Sequence, residues 1–96
     1  MTTQQAILER REEILRIAER HGATNVRVLG SVARGTAGPD SDLDLLVDVG
    51  PNPSPWFPGG LIADLEDVLG CRVDIATDDT LHRRIRERVL TEARPL

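Results

Sequence analysis

The sequence is poor in cysteine and in aromatic residues. A single cysteine, Cys71, excludes an internal disulfide bond, and no zinc-ligand spacing is present. One tryptophan, one phenylalanine and no tyrosine leave few rings on which nucleic-acid bases could stack. The core must therefore be built from leucine, valine, isoleucine and alanine. This use of cysteine is typical of a reducing intracellular compartment.

The chain also lacks a long apolar run and an excess of positive charge. No stretch approaches the roughly 20 apolar residues of a membrane span, and the N-terminus carries charges where a signal peptide needs an apolar segment. The net charge of -4 argues against a domain that holds a nucleic-acid backbone across its whole surface, although local basic patches stay open. We therefore expect a soluble cytoplasmic protein that binds neither a membrane nor nucleic acid.

The apolar pattern predicts helices and strands within one small domain that spans residues 1–96. Apolar residues at three- and four-residue spacing indicate helices, and short apolar or alternating runs indicate strands. A long loop from Gly50 to Gly60 holds four of the six prolines. The predicted elements are a helix over 4–21, a strand over 25–29, a helical turn after Ser31, a strand over 43–49, a helix over 61–69, a strand over 71–76 and a helix from Thr80 that Pro95 terminates.

The order of these elements predicts an α/β fold. The strand–helix–strand unit between residues 43 and 76 should form a right-handed crossover that joins two parallel strands. The tight connection over residues 30–42 brings the end of the first strand to the start of the second. We therefore expect a small mixed β-sheet with helices on one face.

The second strand carries aspartates on one face only. Its odd positions, from Leu43 to Val49, are apolar, whereas Asp42 and Asp44 share the opposite face. In the third strand Asp74 has the same outward parity. If the two strands are parallel neighbours in register, three carboxylates converge on the face without helices.

Such a cluster indicates a metal site, because like charges repel unless a cation neutralises them. Aspartate oxygens suit Mg²⁺ or Mn²⁺, which leave positions open for water and phosphates. Just before the cluster, Gly30 and Ser31 open a helical turn whose free amides could bind phosphate. A lone D-x-D is usually a solvated strand edge, and a lone Gly-Ser is usually a turn. Their combination with a third aspartate instead predicts a nucleoside triphosphate site.

The strings GSVARG, SDLDLLVD, LEDVLGCRVDIAT and RIRERVLTEA resemble the minimal nucleotidyltransferases of the DNA polymerase beta superfamily. The resemblance covers nearly the whole chain and implies the polymerase-beta-like palm fold. It also implies that Arg34 contacts a phosphate, with an ion pair to Asp40 or Asp42 as the alternative. The further roles that it implies are triphosphate binding for Gly30 and Ser31, and metal binding and catalysis for Asp42, Asp44 and Asp74.

In this superfamily two metal ions promote attack of an acceptor oxygen on the α-phosphorus of a nucleotide, with release of pyrophosphate. The resemblance implies Mg²⁺, or else Mn²⁺, and places Asp74 where it would orient the incoming hydroxyl. Many short members act as antitoxins that transfer AMP from ATP to a tyrosine of a HEPN-domain ribonuclease toxin. ATP and a HEPN toxin are thus the implied partners. The alternatives are a non-enzymatic antitoxin with a vestigial site, or a transferase for RNA ends or small molecules.

The long loop contains the aromatic pair Trp56 and Phe57, which departs from the connector expected of the family. The rings could form a docking surface for a partner, or fold back to extend the core. The basic run over residues 82–88 could meet RNA or an acidic partner, but it favours a solvated helix face with Arg–Glu pairs.

Three further polar residue types favour structural roles. Asp48, at the far end of its strand, is expected to be solvated or paired with a surface arginine. His21 and His82 are expected on helix surfaces rather than in catalysis. Cys71 is expected to be a small buried hydrophobe.

Overall fold

A computed structural model describes residues 3–39, 41–81 and 83–96. The chain alternates helices with short strands, and a 3₁₀ turn over Asp78–Thr80 precedes the last helix. The elements in chain order are α1 (Thr3–Glu9), α2 (Arg11–Arg20), β1 (Ala23–Val28), α3 (Gly30–Arg34), β2 (Leu43–Val49), α4 (Gly59–Leu69), β3 (Val73–Thr77), α5 (Arg83–Glu92) and β4 (Arg94–Pro95).

The strands form one mixed sheet in the order β3-β2-β1-β4. Strands β2 and β3 run parallel, whereas β1 is antiparallel to both β2 and β4. Helix α4 joins the parallel pair, as the strand–helix–strand pattern predicts. The predicted α/β class with a small mixed sheet is confirmed.

The hydrophobic core lies between the sheet and helices α1, α2 and α4. Strand β2 runs through the middle of the sheet, and its inward side chains Leu43, Leu45 and Val47 are at most 1% exposed. Leu46 on the opposite face is also fully buried. The other buried members of the main core are Ile7, Ile14, Ile17, Ala18, Ala23, Val26, Val28, Val32, Ala37, Leu61, Leu65 and Val73.

The first predicted helix is in fact two helices that meet at Arg10. The backbone of Arg10 has φ -108° and ψ 19°, outside the helical range. No residue from Leu8 to Glu13 is buried, so no packing against the sheet holds a straight helix across this charged stretch. The prediction of a single helix over 4–21 was therefore wrong.

Other boundaries also differ from the sequence-based expectation: β1 covers Ala23–Val28 rather than 25–29, and α4 begins at Gly59 rather than residue 61. The third strand begins at Val73 rather than residue 71, and the last helix begins at Arg83 because the Asp78–Thr80 turn comes first. Strand β4 was missed altogether. It comprises only Arg94 and Pro95, which pair with β1, and so short a pairing leaves no alternating pattern in the sequence. None of the described helices has both the length and the apolar character that a membrane crossing requires.

The long loop packs against the end of α2. The Gly50 amide donates to the Gly22 carbonyl at 2.8 Å, and the Ser54 amide donates to the His21 carbonyl at 3.1 Å. The His21 ring bridges Ser54 Oγ and Asp64 Oδ2, each at 2.7 Å. His21 is therefore a link between the loop and α4, and only 16% of its side chain is exposed.

The two aromatic residues of the loop behave differently. Phe57 is partly buried and packs against the core, whereas Trp56 is 92% exposed. One ring thus extends the core, and the other leaves an aromatic surface free in solution.

Gly22 is expected to be the most sensitive glycine in this fold. It has φ +84°, and a Cβ added there would lie 2.8 Å from the backbone Cα of Pro53. Gly22→Ala should lose about 1–2 kcal/mol to left-handed backbone strain and about 1–3 kcal/mol more to the clash. The free energy of unfolding in urea measures the sum of these two losses.

Gly35→Ala is the matched control, because Gly35 has φ +73° but nothing within 4 Å of an added Cβ. This variant should lose only the stability that the backbone strain costs. Equal losses at the two positions would contradict the proposed close approach of the loop to Gly22.

Candidate active site

Three carboxylates meet at the start of β2, as the predicted register requires. The parallel pairing places Asp44 directly opposite Asp74, and Asp42 immediately precedes β2. Asp42 and Asp74 are exposed, whereas Asp44 is partly buried. Val73, between the exposed Arg72 and Asp74, points into the core, which confirms the predicted alternation.

The charges of this cluster act on one another. Burial, together with the negative charges of Asp74 and Asp42, raises the pKa of Asp44 above its usual value. The carboxyl groups of Asp44 and Asp74 also lie within hydrogen-bonding reach, a contact that stabilises a protonated Asp44. The cluster is thus electrostatically unfavourable without a cation or a proton.

The turn at Gly30 lies against the same cluster. Strand β1 ends at Val28, and the Leu29 amide donates to the Asp44 carbonyl at 2.9 Å, which holds the start of α3 next to Asp44. Gly30 has φ +59°, and a Cβ there would lie 3.1 Å from Asp44 Oδ2. No side chain caps the first turn of α3, so the first amides of this helix have no side-chain hydrogen-bond partner.

Arg34, at the end of α3, is exposed. It forms no ion pair with Asp42 or with any other carboxylate in the described part of the chain. Of the two ion-pair alternatives, the one with Asp42 is therefore not formed, and Asp40 lies outside the described residues. A free guanidinium beside the Gly30 turn suits an anion.

The chemistry of the donor set fits a small divalent cation. Carboxylate oxygens are its preferred ligands, and a cation would relieve the repulsion that raises the pKa of Asp44. Among residues 3–39, 41–81 and 83–96, no group of three or more acidic, histidine or cysteine side chains is arranged so that it could hold a metal ion by itself. Mg²⁺ normally binds one or two carboxylates and takes its remaining ligands from water and substrate phosphates.

Two neighbours of the cluster received no catalytic role from the sequence. Cys71 is half-buried against the core, and burial together with the charges of Asp42 and Glu66 raises the pKa of its thiol. The Arg72 carbonyl accepts a hydrogen bond from the Leu43 amide at 2.8 Å, which fixes the edge strand beside Asp42. The parity of Arg72 with Asp74 was the available signal that its side chain shares the face of the carboxylates.

Other polar residues lie outside the site and are paired. Asp48 accepts hydrogen bonds from Asn25 at 3.0 Å and Arg27 at 2.8 Å, so it is paired with an arginine as one interpretation held. Arg86 pairs with Asp78 and Arg88 with Glu92. These pairs agree with a solvated face for that part of the basic run. His82 and the side chains of residues 83–85 lie outside the described parts of the structure.

Substituting Gly30 tests the close approach of the turn to Asp44. Gly30→Ala should displace either α3 or the Asp44 carboxylate by a few tenths of an ångström, in addition to about 1–2 kcal/mol of backbone strain. A displacement of this kind is expected to lower nucleotide affinity about tenfold or more, as measured by calorimetric titration with a non-hydrolysable ATP analogue.

Gly70→Ala provides the control, since Gly70 has φ +68° and open space around an added Cβ. It should lose comparable stability but retain nucleotide binding. Equal binding by the two variants would contradict a role for the Gly30 turn.

A glycine turn with an uncapped helix start beside paired carboxylates on a mixed sheet suits the binding of a nucleoside triphosphate. Comparison with known proteins identifies the family. Residues 11–96 match the family model described as the nucleotidyltransferase domain, and this chain belongs to that family.

The individual relatives agree with this assignment. The protein MJ0435 of Methanocaldococcus jannaschii, provisionally named a protein adenylyltransferase, is 36% identical over 87 residues, which cover 91% of this chain and 94% of the relative. The protein adenylyltransferase MntA of Thermococcus cleftensis is 41% identical over 76 residues, which cover 79% of this chain and 77% of the relative.

Solved structures show the same similarity in three dimensions. A structure described as a minimal nucleotidyltransferase is 48% identical, with a TM-score of 0.85 over 100% of this chain and 97% of that chain. A chain of a toxin–antitoxin crystal structure with AMP-PNP shares the fold, with a TM-score of 0.73 and 19% identity over 88% of this chain and 69% of that chain. The resemblance drawn from the sequence motifs is confirmed, and the protein is a nucleotidyltransferase.

Proposed function

We propose that this protein transfers AMP from ATP to a hydroxyl group of a partner protein and thereby neutralises a HEPN-type ribonuclease toxin. The observation that carries the proposal is the pairing of Asp44 with Asp74 directly beside the Gly30 turn. Relatives at 36% and 41% identity bear the name protein adenylyltransferase. One structure of the same fold is a toxin–antitoxin complex with the ATP analogue AMP-PNP.

Different residues of the site would bind different parts of the substrate. The backbone amides at Gly30 and Ser31 would bind the β- and γ-phosphates, and Arg34 would add a charge-assisted hydrogen bond to the same group. Asp42, Asp44 and Asp74 would hold two Mg²⁺ ions, or Mn²⁺ in their place. When bound, the metal supplies charge neutralisation at the phosphates and polarises the α-phosphate.

The transfer itself is an in-line displacement at phosphorus. The acceptor hydroxyl oxygen forms a bond to the α-phosphorus, and the bond from that phosphorus to the bridging oxygen of pyrophosphate breaks. Pyrophosphate leaves with the bonding electrons. The exposed carboxylate of Asp74 orients the hydroxyl and accepts its proton.

The composition restricts where a modified tyrosine can lie. Because residues 1–96 contain no tyrosine, AMP attached to a phenolic oxygen must lie outside these residues. Residues 1–96 would act as a single catalytic domain in the cytoplasm, where ATP is available.

The proposal is tested by incubating the protein with Mg²⁺, α-labelled ATP and the protein encoded beside its gene. Mass spectrometry should find the added mass of AMP on the neighbour and lose it with the Asp42→Ala/Asp44→Ala variant. Parallel reactions with the other three nucleotides establish the preference for the base.

A complex that suppresses the neighbour without any transfer would overturn the proposal in favour of neutralisation by binding alone. Label on RNA or on a small molecule, with none on protein, would overturn it in favour of another acceptor class. An equal yield from the Asp42→Ala/Asp44→Ala variant would remove the carboxylates from the mechanism.

A further inference from the structure

Arg72 flanks the carboxylate cluster at the outer edge of the sheet. Because Leu43 pairs with Val73 in the parallel register, Arg72 lies opposite Asp42, and Asp74 lies opposite Asp44. Strand β3 is the edge strand. Arg72 and Asp74 are both exposed on either side of the buried Val73, so their side chains project to the same face.

The order of the strands distinguishes the two sides of the carboxylate cluster. The Gly30 turn follows β1 on one side of β2, and β3 lies on the other side. Given the proposed function, pyrophosphate leaves toward the Gly30 turn, and an in-line attack requires the acceptor to approach from the opposite side. That side is the β3 edge, where Asp74 and Arg72 lie.

Arg72 lies opposite Asp42, but no carboxylate of the described residues forms an ion pair with it, whereas Arg27, Arg86 and Arg88 are all paired. Arg34, at the end of α3, is another arginine without an ion pair in the described part of the chain. A free guanidinium selects carboxylate or phosphate oxygens in two-pronged geometry.

We propose that Arg72 is a specificity residue that binds a carboxylate of the partner protein next to the acceptor hydroxyl. This inference rests on the proposed function and names the feature by which the acceptor is chosen, an acidic side chain beside the modified residue. Three aspartates in the site and a net charge of -4 would repel the many phosphates of an RNA acceptor, so a protein segment with a single carboxylate placed at Arg72 fits better.

Steady-state AMP transfer to the neighbouring gene's protein, with Arg72→Ala, Arg72→Glu and Arg72→Lys, tests the assignment. The KM for the acceptor protein should rise about tenfold for alanine and about a hundredfold for glutamate, and lysine should restore part of the loss. The KM for ATP should stay within about twofold, because the phosphates lie on the other side of the cluster.

Arg16→Glu is the matched control, since Arg16 is exposed on α2, away from the cluster, and the substitution makes the same change in charge. It should leave both KM values unchanged. An equal rise in the acceptor KM for Arg16→Glu would replace the specific contact with a general charge effect and overturn the inference.

A charge exchange makes the test sharper. Once the modified hydroxyl is mapped, the acidic residues of the acceptor beside it are changed to lysine one at a time. One of these changes should lower the acceptor KM of Arg72→Glu while raising the acceptor KM of the wild-type enzyme. Such an effect shows that the two residues are coupled, because independent substitutions would have additive effects.

The outcomes separate this inference from the function on which it rests. An active wild-type enzyme with an unchanged acceptor KM for Arg72→Glu, or with a raised KM for ATP instead, overturns the role of Arg72 alone. A wild-type enzyme that transfers AMP to no protein overturns both.

Discussion

Asp44→Asn is expected to lower the rate of AMP transfer by about a thousandfold. Asp44 is the central carboxylate of the cluster, with Asp74 opposite, Gly30 alongside and Asp42 two residues before it. Asparagine keeps the shape but removes the charge that would hold the metal, and metal ions contribute several kcal/mol of transition-state stabilisation. Each 1.4 kcal/mol of that loss is tenfold in rate. Single-turnover transfer of labelled AMP at saturating ATP is the measurement.

The same substitution should make the metal-free protein more stable at neutral pH. The folded state holds the proton of Asp44 more tightly than the unfolded state, because burial and the charges of Asp74 and Asp42 raise its pKa. The stability that protonated Asp44 contributes is therefore fully present below its unfolded pKa, declines as the pH rises between the two pKa values and is lost above the raised pKa. The advantage of asparagine should accordingly shrink on acidification, and Mg²⁺ should stabilise the wild type more than the variant.

Asp48→Asn is the control for both effects. Asp48 belongs to the same strand and has the same parity, but it pairs with Arg27 and Asn25 at the other end of β2. It should keep nearly full activity and show no gain in stability. A loss of activity as large as that of Asp44→Asn would show that activity depends on charge along the whole strand and not on the carboxylate cluster.

Leu65→Ala is expected to produce a large loss of stability. Leu65 lies on α4 and is 0% exposed between that helix and the sheet. Removing its side chain should cost about 2–5 kcal/mol. A small domain has only about 5–15 kcal/mol to lose, and each kcal/mol corresponds to about 4–8 °C in Tm. Thermal unfolding followed by circular dichroism should therefore show a fall of more than about 10 °C.

Leu8→Ala makes the same change at a leucine that is 66% exposed. Its Tm should move by no more than a few degrees, since surface substitutions change stability by about 0.5 kcal/mol. Leu65→Met, which keeps the volume, should lose less than about 1.5 kcal/mol. Similar losses for Leu65→Ala and Leu8→Ala would contradict the packing of α4 on the sheet.

Some features of the fold could be read from short stretches of sequence. The alternation of β2 predicted both its bounds, Leu43–Val49, and its inward face. The apolar spacing of α4 and the glycine that follows it predicted the end of that helix at Leu69. The short spacing between Gly30-Ser31 and the pair Asp42 and Asp44 indicated the nucleotidyltransferase family. Each of these signals lies within about fifteen residues, where local geometry decides the outcome.

Other features depend on contacts between residues that are far apart in the chain. No local sequence pattern indicates the break at Arg10 or the pairing of β4 with β1. The same holds for the hydrogen bonds of His21 to Ser54 and Asp64, and for the burial of Phe57 beside an exposed Trp56.

The sequence by itself determined the class of this protein, because the residue types that bind phosphate and metal follow one another closely around one strand. Only the tertiary structure decided how those residues are used. The register of β2 with β3 sets Asp74 against Asp44, the turn after β1 brings Gly30 within contact of the same carboxylate, and the edge position of β3 leaves Arg72 free on the far side. These relations arise from strand pairing and packing across the whole chain, which no short stretch of sequence encodes.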